Sequence, residues 1–137
     1  MRIFEWLRKT SREKSALHII DGLRQLVAAV RADVAGQTAA PERRRDIKAD
    51  ITSAQQKLYD DLTRWSNIPP GRCLNEVVLP ALFSGDLVAR SEPWFKPAVV
   101  AAYRVCEAAA RQKKTNLEAH TPPEILRIVH DAGELYK

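Results

Sequence analysis

The stretch Pro97 to Lys114, PAVVAAYRVCEAAARQKK, decides the reading of this chain. Nearly every position up to Ala110 is small or apolar, and only Arg104, Glu107, Arg111 and Lys114 interrupt it. Their spacings of three, four and three place them in one narrow polar stripe on an α-helix, so Val99, Val100, Tyr103, Val105 and Cys106 need cover from other elements. The alanines Ala98, Ala101, Ala102, Ala108, Ala109 and Ala110 favour helix and let neighbouring backbones approach closely. A helix of this kind belongs inside a bundle.

Outward from it toward the N-terminus, Asn67 to Gly71 (NIPPG) is a breaker, because two prolines and a glycine cannot continue a helix. Before it, two helical patterns are joined by a short connection. Ile19, Ile20, Leu23, Leu26, Val27, Val30 and Val34 recur at three- and four-residue steps, with Gly36 placed to end that helix in the left-handed conformation and Gly22 marking a weak point or a close helix contact. Thr10-Ser-Arg-Glu13 matches a capping box at its start. After Gln37 to Ala40, Pro41 opens a second helix running to about Ser66, whose positions Ile47, Ile51, Ala54, Leu58, Leu62 (or neighbouring Asp61 by strict count) and Trp65 form a narrow seam. So short a connection makes the two an antiparallel hairpin.

Between Arg72 and Lys96 the pattern is mixed. Leu74, Val77, Val78, Leu82 and Phe83 indicate a helix ending at Gly85 that Pro80 must kink or split, Asp86 to Arg90 adds a turn, Ser91 is placed as a cap, and Pro97 starts the buried helix. Beyond Lys114, Thr121-Pro-Pro-Glu124 reads as a capping box before a last helix with Ile125, Ile128, Val129 and Ala132 on one face and Gly133 at its end. Strand-like alternation and internal repeats are absent. The expectation is an all-α single domain over residues 1–137, a bundle of five or six helices in which the N-terminal hairpin packs around the buried C-terminal-half helix. Arg2 to Lys9, with Ile3, Phe4, Trp6 and Leu7, reads as a short segment that docks on the body or serves as an interfacial anchor; docking is preferred because eight residues have little membrane affinity alone.

The 137 residues suffice for one core, and 45% hydrophobic with 28% charged residues is ordinary for a globular chain. Cys73 and Cys106 lie in apolar surroundings without metal-binding spacing, which points to a reducing cytoplasm. The net charge of +5 is uneven: Lys and Arg outnumber Asp and Glu by 13 to 9 through Ser66, and by 9 to 8 after it. That excess attracts polyanions weakly.

Known chemistries find little support. His18, His120 and His130 share no ligand spacing with the cysteines, so no metal is expected. Asp46 with Asp50, and Asp60 with Asp61, read as solvated charges. No serine or cysteine sits in a nucleophile elbow, and five scattered glycines make no phosphate cradle, so neither a catalytic residue nor a cofactor is expected. What remains is a non-catalytic protein-interaction module, binding another protein or its own copy through the aromatic residues at the helix breaks, Trp65, Trp94 and Phe95. The rival is a weak nucleic-acid binder using Arg43, Arg44, Arg45 and Lys48, and the third class is an enzyme whose site the sequence does not reveal. A membrane partner is not expected.

Overall fold

The computed structural model describes residues 11–65 and 68–137, with side chains from Ala16 onward except that of Trp65. The docking segment Arg2 to Lys9, the Thr10 capping box and the ring of Trp65 lie outside the described residues. Among those described, every regular element is helical. Helix α1 (Ser11–Ala35) and helix α2 (Pro41–Asp60) form the hairpin, and α2 runs on through a π-helical turn, Asp61–Trp65. Helices α3 (Pro70–Cys73) and α4 (Leu79–Phe83) flank a second π turn, Leu74–Val78. Helix α5 (Phe95–Gln112), a 3₁₀ turn (Glu118–His120) and helix α6 (Pro123–Asp131) complete the chain.

The hairpin closes because two glycines remove side chains from its seam. A Cβ on Gly22 would lie 3.3 Å from both Leu58 Cδ1 and Asp61 Oδ2, so α1 and α2 meet closely there. Gly36 follows the last residue of α1, yet its backbone is not in the left-handed region, contrary to the sequence reading. Its role is steric instead: a Cβ would come within 2.7 Å of Ile47 Cδ1 on α2 and 2.9 Å of the Ala32 carbonyl oxygen. The apolar positions meet in that seam, with Ile19, Leu23, Leu26, Val27 and Val30 facing Ile47, Ile51, Ala54 and Leu58 in one core.

Around Pro80 the helix is divided, as the proline demands: the π turn Leu74–Val78 separates α3 from α4. Proline lacks an N–H and its ring collides with the carbonyl four residues back in a regular α-helix. Here the π turn immediately before it spreads the ladder, with the Leu79 N–H reaching the Leu74 carbonyl five residues back, so the chain stays helical through Leu79 despite the bias of a pre-proline residue against that geometry. Gly85 then ends the segment at φ +85. The turn expected over Asp86 to Arg90 is absent; the chain bends there and buries Val88.

Helix α5 begins at Phe95 rather than Pro97, and Ser91 does not cap it. Pro97 sits in the first turn, where its missing N–H would have had no helical partner anyway. Helix α5 packs against α1, α2, α3 and α6, which is the cover its sequence demands. The expected polar stripe is narrower than its spacing suggested: Glu107 is half-buried, Arg111 and Lys114 are exposed, but Arg104 is buried. Thr121 does not close a capping box either. Its hydroxyl donates to the Leu117 carbonyl at 2.8 Å, and Pro122 occupies the N-cap position of α6. No described helix is long and apolar enough to cross a membrane.

Val100 and Cys106 are 1% and 0% exposed on α5. Val100→Asp or Cys106→Asp places an unpaired charge there and is expected to remove several kcal/mol from a total of roughly 5 to 15. Thermal and urea melts of both variants check this; cooperative melting at the wild-type midpoint would show that α5 is not the central element.

Candidate functional site

The elbow between α4 and α5 brings together two of the three aromatic residues singled out in the sequence and treats them differently. The turn that holds it is made by the Glu92 N–H donating to the Ala89 carbonyl and the Phe95 N–H donating to the Glu92 carbonyl, each at 3.0 Å. Phe95 is turned inward, buried, and meets Phe83 of α4 edge-on, with ring centroids 5.2 Å apart and planes at 89°. That is a favoured aromatic geometry. Trp94 is half-buried, and the guanidinium of Arg31, from α1, lies 4.9 Å from its ring centroid. On the neighbouring ring, the Arg90 guanidinium lies 4.6 Å from the Phe83 centroid. The elbow is therefore an aromatic ledge faced by two exposed arginines.

Neither arginine was legible as part of a site. Arg31 reaches Trp94 from a helix far away in sequence, and Arg90 lies in a stretch without regular structure. Both guanidiniums are exposed, and among the described residues no carboxylate stands within ion-pair distance of either.

The basic run is arranged as helical geometry requires. Arg43, Arg44, Arg45 and Lys48 occupy the first turns of α2, where all four are exposed and only Ile47 turns inward. None forms an ion pair among the described residues. Asp46 within this run and Asp50 just after it are exposed, in agreement with their reading as solvated charges.

An open cleft of about 990 Å³ lies between α2 and α5, bordered by Gln55, Tyr59, Arg104, Ala108, Arg111 and Tyr136. Buried Arg104 organises its edge. Its Nη2 donates to the Gly133 carbonyl at 2.6 Å, its Nε donates to the Leu135 carbonyl at 3.1 Å, and its Nη1 lies 3.6 Å from Glu107. Gln55 donates to the carbonyls of Ala101 and Tyr136, and the Tyr136 hydroxyl donates to Asp33 of α1. Residues 133–136 are thus strapped to three helices. Burial first, and then the bond to Asp33, push the Tyr136 phenol well above its usual range, so it remains a donor at neutral pH. The polar groups that border the cleft are largely occupied in holding the fold together.

Asp61 departs from the solvated state expected of it. The π turn places it in the hairpin seam beside Gly22, 8% exposed. Burial raises its carboxyl above the ordinary value, against the lowering influence of Lys57 and His18 and with smaller contributions from Asp60 and Asp21 that also raise it. The cysteines behave as hydrophobes. Burial pushes the Cys73 thiol up to about 12 and raises Cys106 as well, so neither is a thiolate at neutral pH. Among the described residues, no group of three or more His, Cys, Asp or Glu side chains is placed to hold a metal ion.

Two outcomes follow from these placements. Phe95→Ala is expected to cost about 3 to 5 kcal/mol as a large-to-small core change, whereas half-buried Trp94→Ala gives up about 1 to 2 kcal/mol of partial burial and cation–π contact; denaturant melts of the pair measure the gap. For Asp61 the raised folded-state pKa means that the native form holds its proton more tightly than the unfolded chain. Its favourable contribution is therefore full at low pH and is lost as pH rises through the folded value. Asp61→Asn should melt above wild type at pH 7, with the advantage shrinking as pH falls through the carboxylate range, about 4.

No protein-family model, curated protein or solved structure matches this chain.

Proposed function

We propose that the chain is a non-catalytic helical interaction protein that binds another protein, or its own copy, at the elbow around Trp94. The observation carrying this reading is the pair of exposed arginines Arg31 and Arg90, each guanidinium over an aromatic ring and neither joined to a carboxylate among the described residues. Elsewhere in the molecule the polar groups with defined geometry are occupied internally: Arg104 by tail carbonyls, Glu107 by two arginines, Gln55 by two carbonyls. At the elbow, donors held in place have hydrogen-bonding capacity that the fold does not use. Buried Phe95 supports the ledge from beneath, so its part in binding is to position Phe83 and Trp94. Trp65 is carried forward only as a sequence-based candidate.

A photo-crosslinking amino acid at exposed Ser91, beside the elbow, tests this in cells of the native host, with the same group at exposed Gln56 in the cleft as comparison. The expected result is a discrete adduct from position 91 that disappears in Trp94→Ala while the variant stays folded. An adduct with the mass of two chains assigns self-association, which sedimentation then confirms. Adducts only from position 56, or adducts from position 91 indifferent to Trp94→Ala, would overturn the elbow as the binding surface.

A second reading has its own support in the exposure of Arg43, Arg44, Arg45 and Lys48 without ion-pair partners. If these residues contact phosphates, replacing all four with Gln weakens duplex DNA binding uniformly across sequences and lowers the salt slope by about 0.9 per lost contact. Unchanged binding by the quadruple variant leaves the run as solvated surface.

A further inference from the structure

The elbow carries more information than that something binds there. We infer that its ligand is an acidic segment of another protein, in which an apolar side chain is flanked by Asp or Glu: the apolar group covers the exposed part of Trp94 and the carboxylates take the edges of Arg31 and Arg90. This rests on the reading of the elbow as a binding surface and goes further by naming the chemistry of the partner.

Three features of the geometry lead there. First, each guanidinium carbon lies over a ring centroid, 4.9 Å away for Arg31 on Trp94 and 4.6 Å for Arg90 on Phe83, and a cation–π contact leaves the N–H donors of the fork unspent. Those groups match a carboxylate in a two-point arrangement. Second, the stack holds each arginine in place before any partner arrives, which lowers the ordering cost of binding. Third, the only carboxylates in the loop that carries Arg90, namely Asp86 and Glu92, pair with neither arginine, and exposed Lys96 in the first turn of α5 adds a further positive charge.

The same geometry disfavours a nucleic acid at this place. Single-stranded nucleic acid is held by bases stacked on open aromatic faces along a basic track. Here one arginine already stands over the Trp94 ring and another over the Phe83 ring, and Phe95 is buried. The ledge offers two guanidiniums beside partly exposed aromatic surface, which suits a short extended or helical peptide that carries carboxylates beside an apolar side chain.

The test uses the full chain, immobilised, and a display library of short random peptides. Peptides bound at low salt are sequenced, and the tightest are resynthesised with a fluorophore for anisotropy titrations against wild type, Trp94→Ala, the double variant Arg31→Gln/Arg90→Gln, and Arg31→Lys/Arg90→Lys. Melting curves of all variants establish that they are folded, and loss of the two surface arginines should leave the midpoint nearly unchanged. The expected result is enrichment of Asp and Glu beside an aliphatic or aromatic residue. Affinity should fall with added salt, weaken by about tenfold or more in the glutamine variant, which is about 1.4 kcal/mol, and weaken less in the lysine variant, which keeps charge but not the planar fork. Peptides that need Trp94 but show no acidic excess, or that bind the glutamine variant equally well, overturn the acidic partner and leave the elbow as a binding surface. Failure to recover any Trp94-dependent peptide overturns both. Tighter binding of single-stranded oligothymidine than of any peptide, lost in the glutamine variant, replaces the peptide with a phosphate polymer.

Discussion

Covering α5 on nearly all sides is the constraint from which the rest of the molecule follows. A helix whose alanines and valines are almost fully removed from water needs neighbours around its whole circumference, and 137 residues supply them only if every other element turns its apolar face toward it. The hairpin of α1 and α2 takes one side, the α3–α4 segment and α6 take others, and the tail from Gly133 to Tyr136 closes what remains. This is why an arginine is buried. Once the tail crosses the polar stripe of α5, Arg104 is shut in, and it is tolerated because carbonyls of the tail and Glu107 satisfy it.

The outline of the fold was legible because it depends on periodicity. Ile19 to Val30, Ile47 to Leu58, and Ala98 to Ala110 carry their burial in their spacing, and Pro41, Gly85 and Gly133 sit at helix ends. The readings that failed have another character: they turned on contacts with other elements, or on a competing local hydrogen bond, that spacing alone does not show. Arg104 looked solvated because nothing in its helix announces that residues 133–136 will cover it. Asp61 lies on the seam by strict helical counting, but an acidic side chain beside Asp60 read as solvated. Thr121 and Glu124 have the capping spacing, but the Thr121 hydroxyl is engaged by Leu117 instead. Gly36 was placed correctly for a different reason, since Ile47 fills the space where a side chain would stand.

The candidate site was legible only in part. Two prolines around Trp94 and Phe95 drew attention to the elbow, but alternation cannot say which ring faces inward, and a cation–π partner from another helix leaves no local trace. Arg31 reads in sequence as one more polar residue on the outer face of α1. It gains significance only when the loop after α4 folds back beneath it. The basic run at Arg43 is the opposite case, visible at once in the sequence and unaltered by the fold, because exposed side chains near a helix start need nothing from the remainder of the chain.

The π turn at Leu74–Val78 has a consequence for residues well beyond it. A widened turn holds one residue more than the α-helical turn it replaces, so it acts as an offset in the angular count of everything that follows. Closing that turn to ordinary α-helical spacing without removing a residue would swing the segment after it by about 100° around its axis. Phe83 would then no longer meet Phe95, and Arg90 would be left without its ring. The orientation of the arginine ledge is in that sense set by the width of a turn it never touches, and tightening that turn would alter the surface without altering any residue on it.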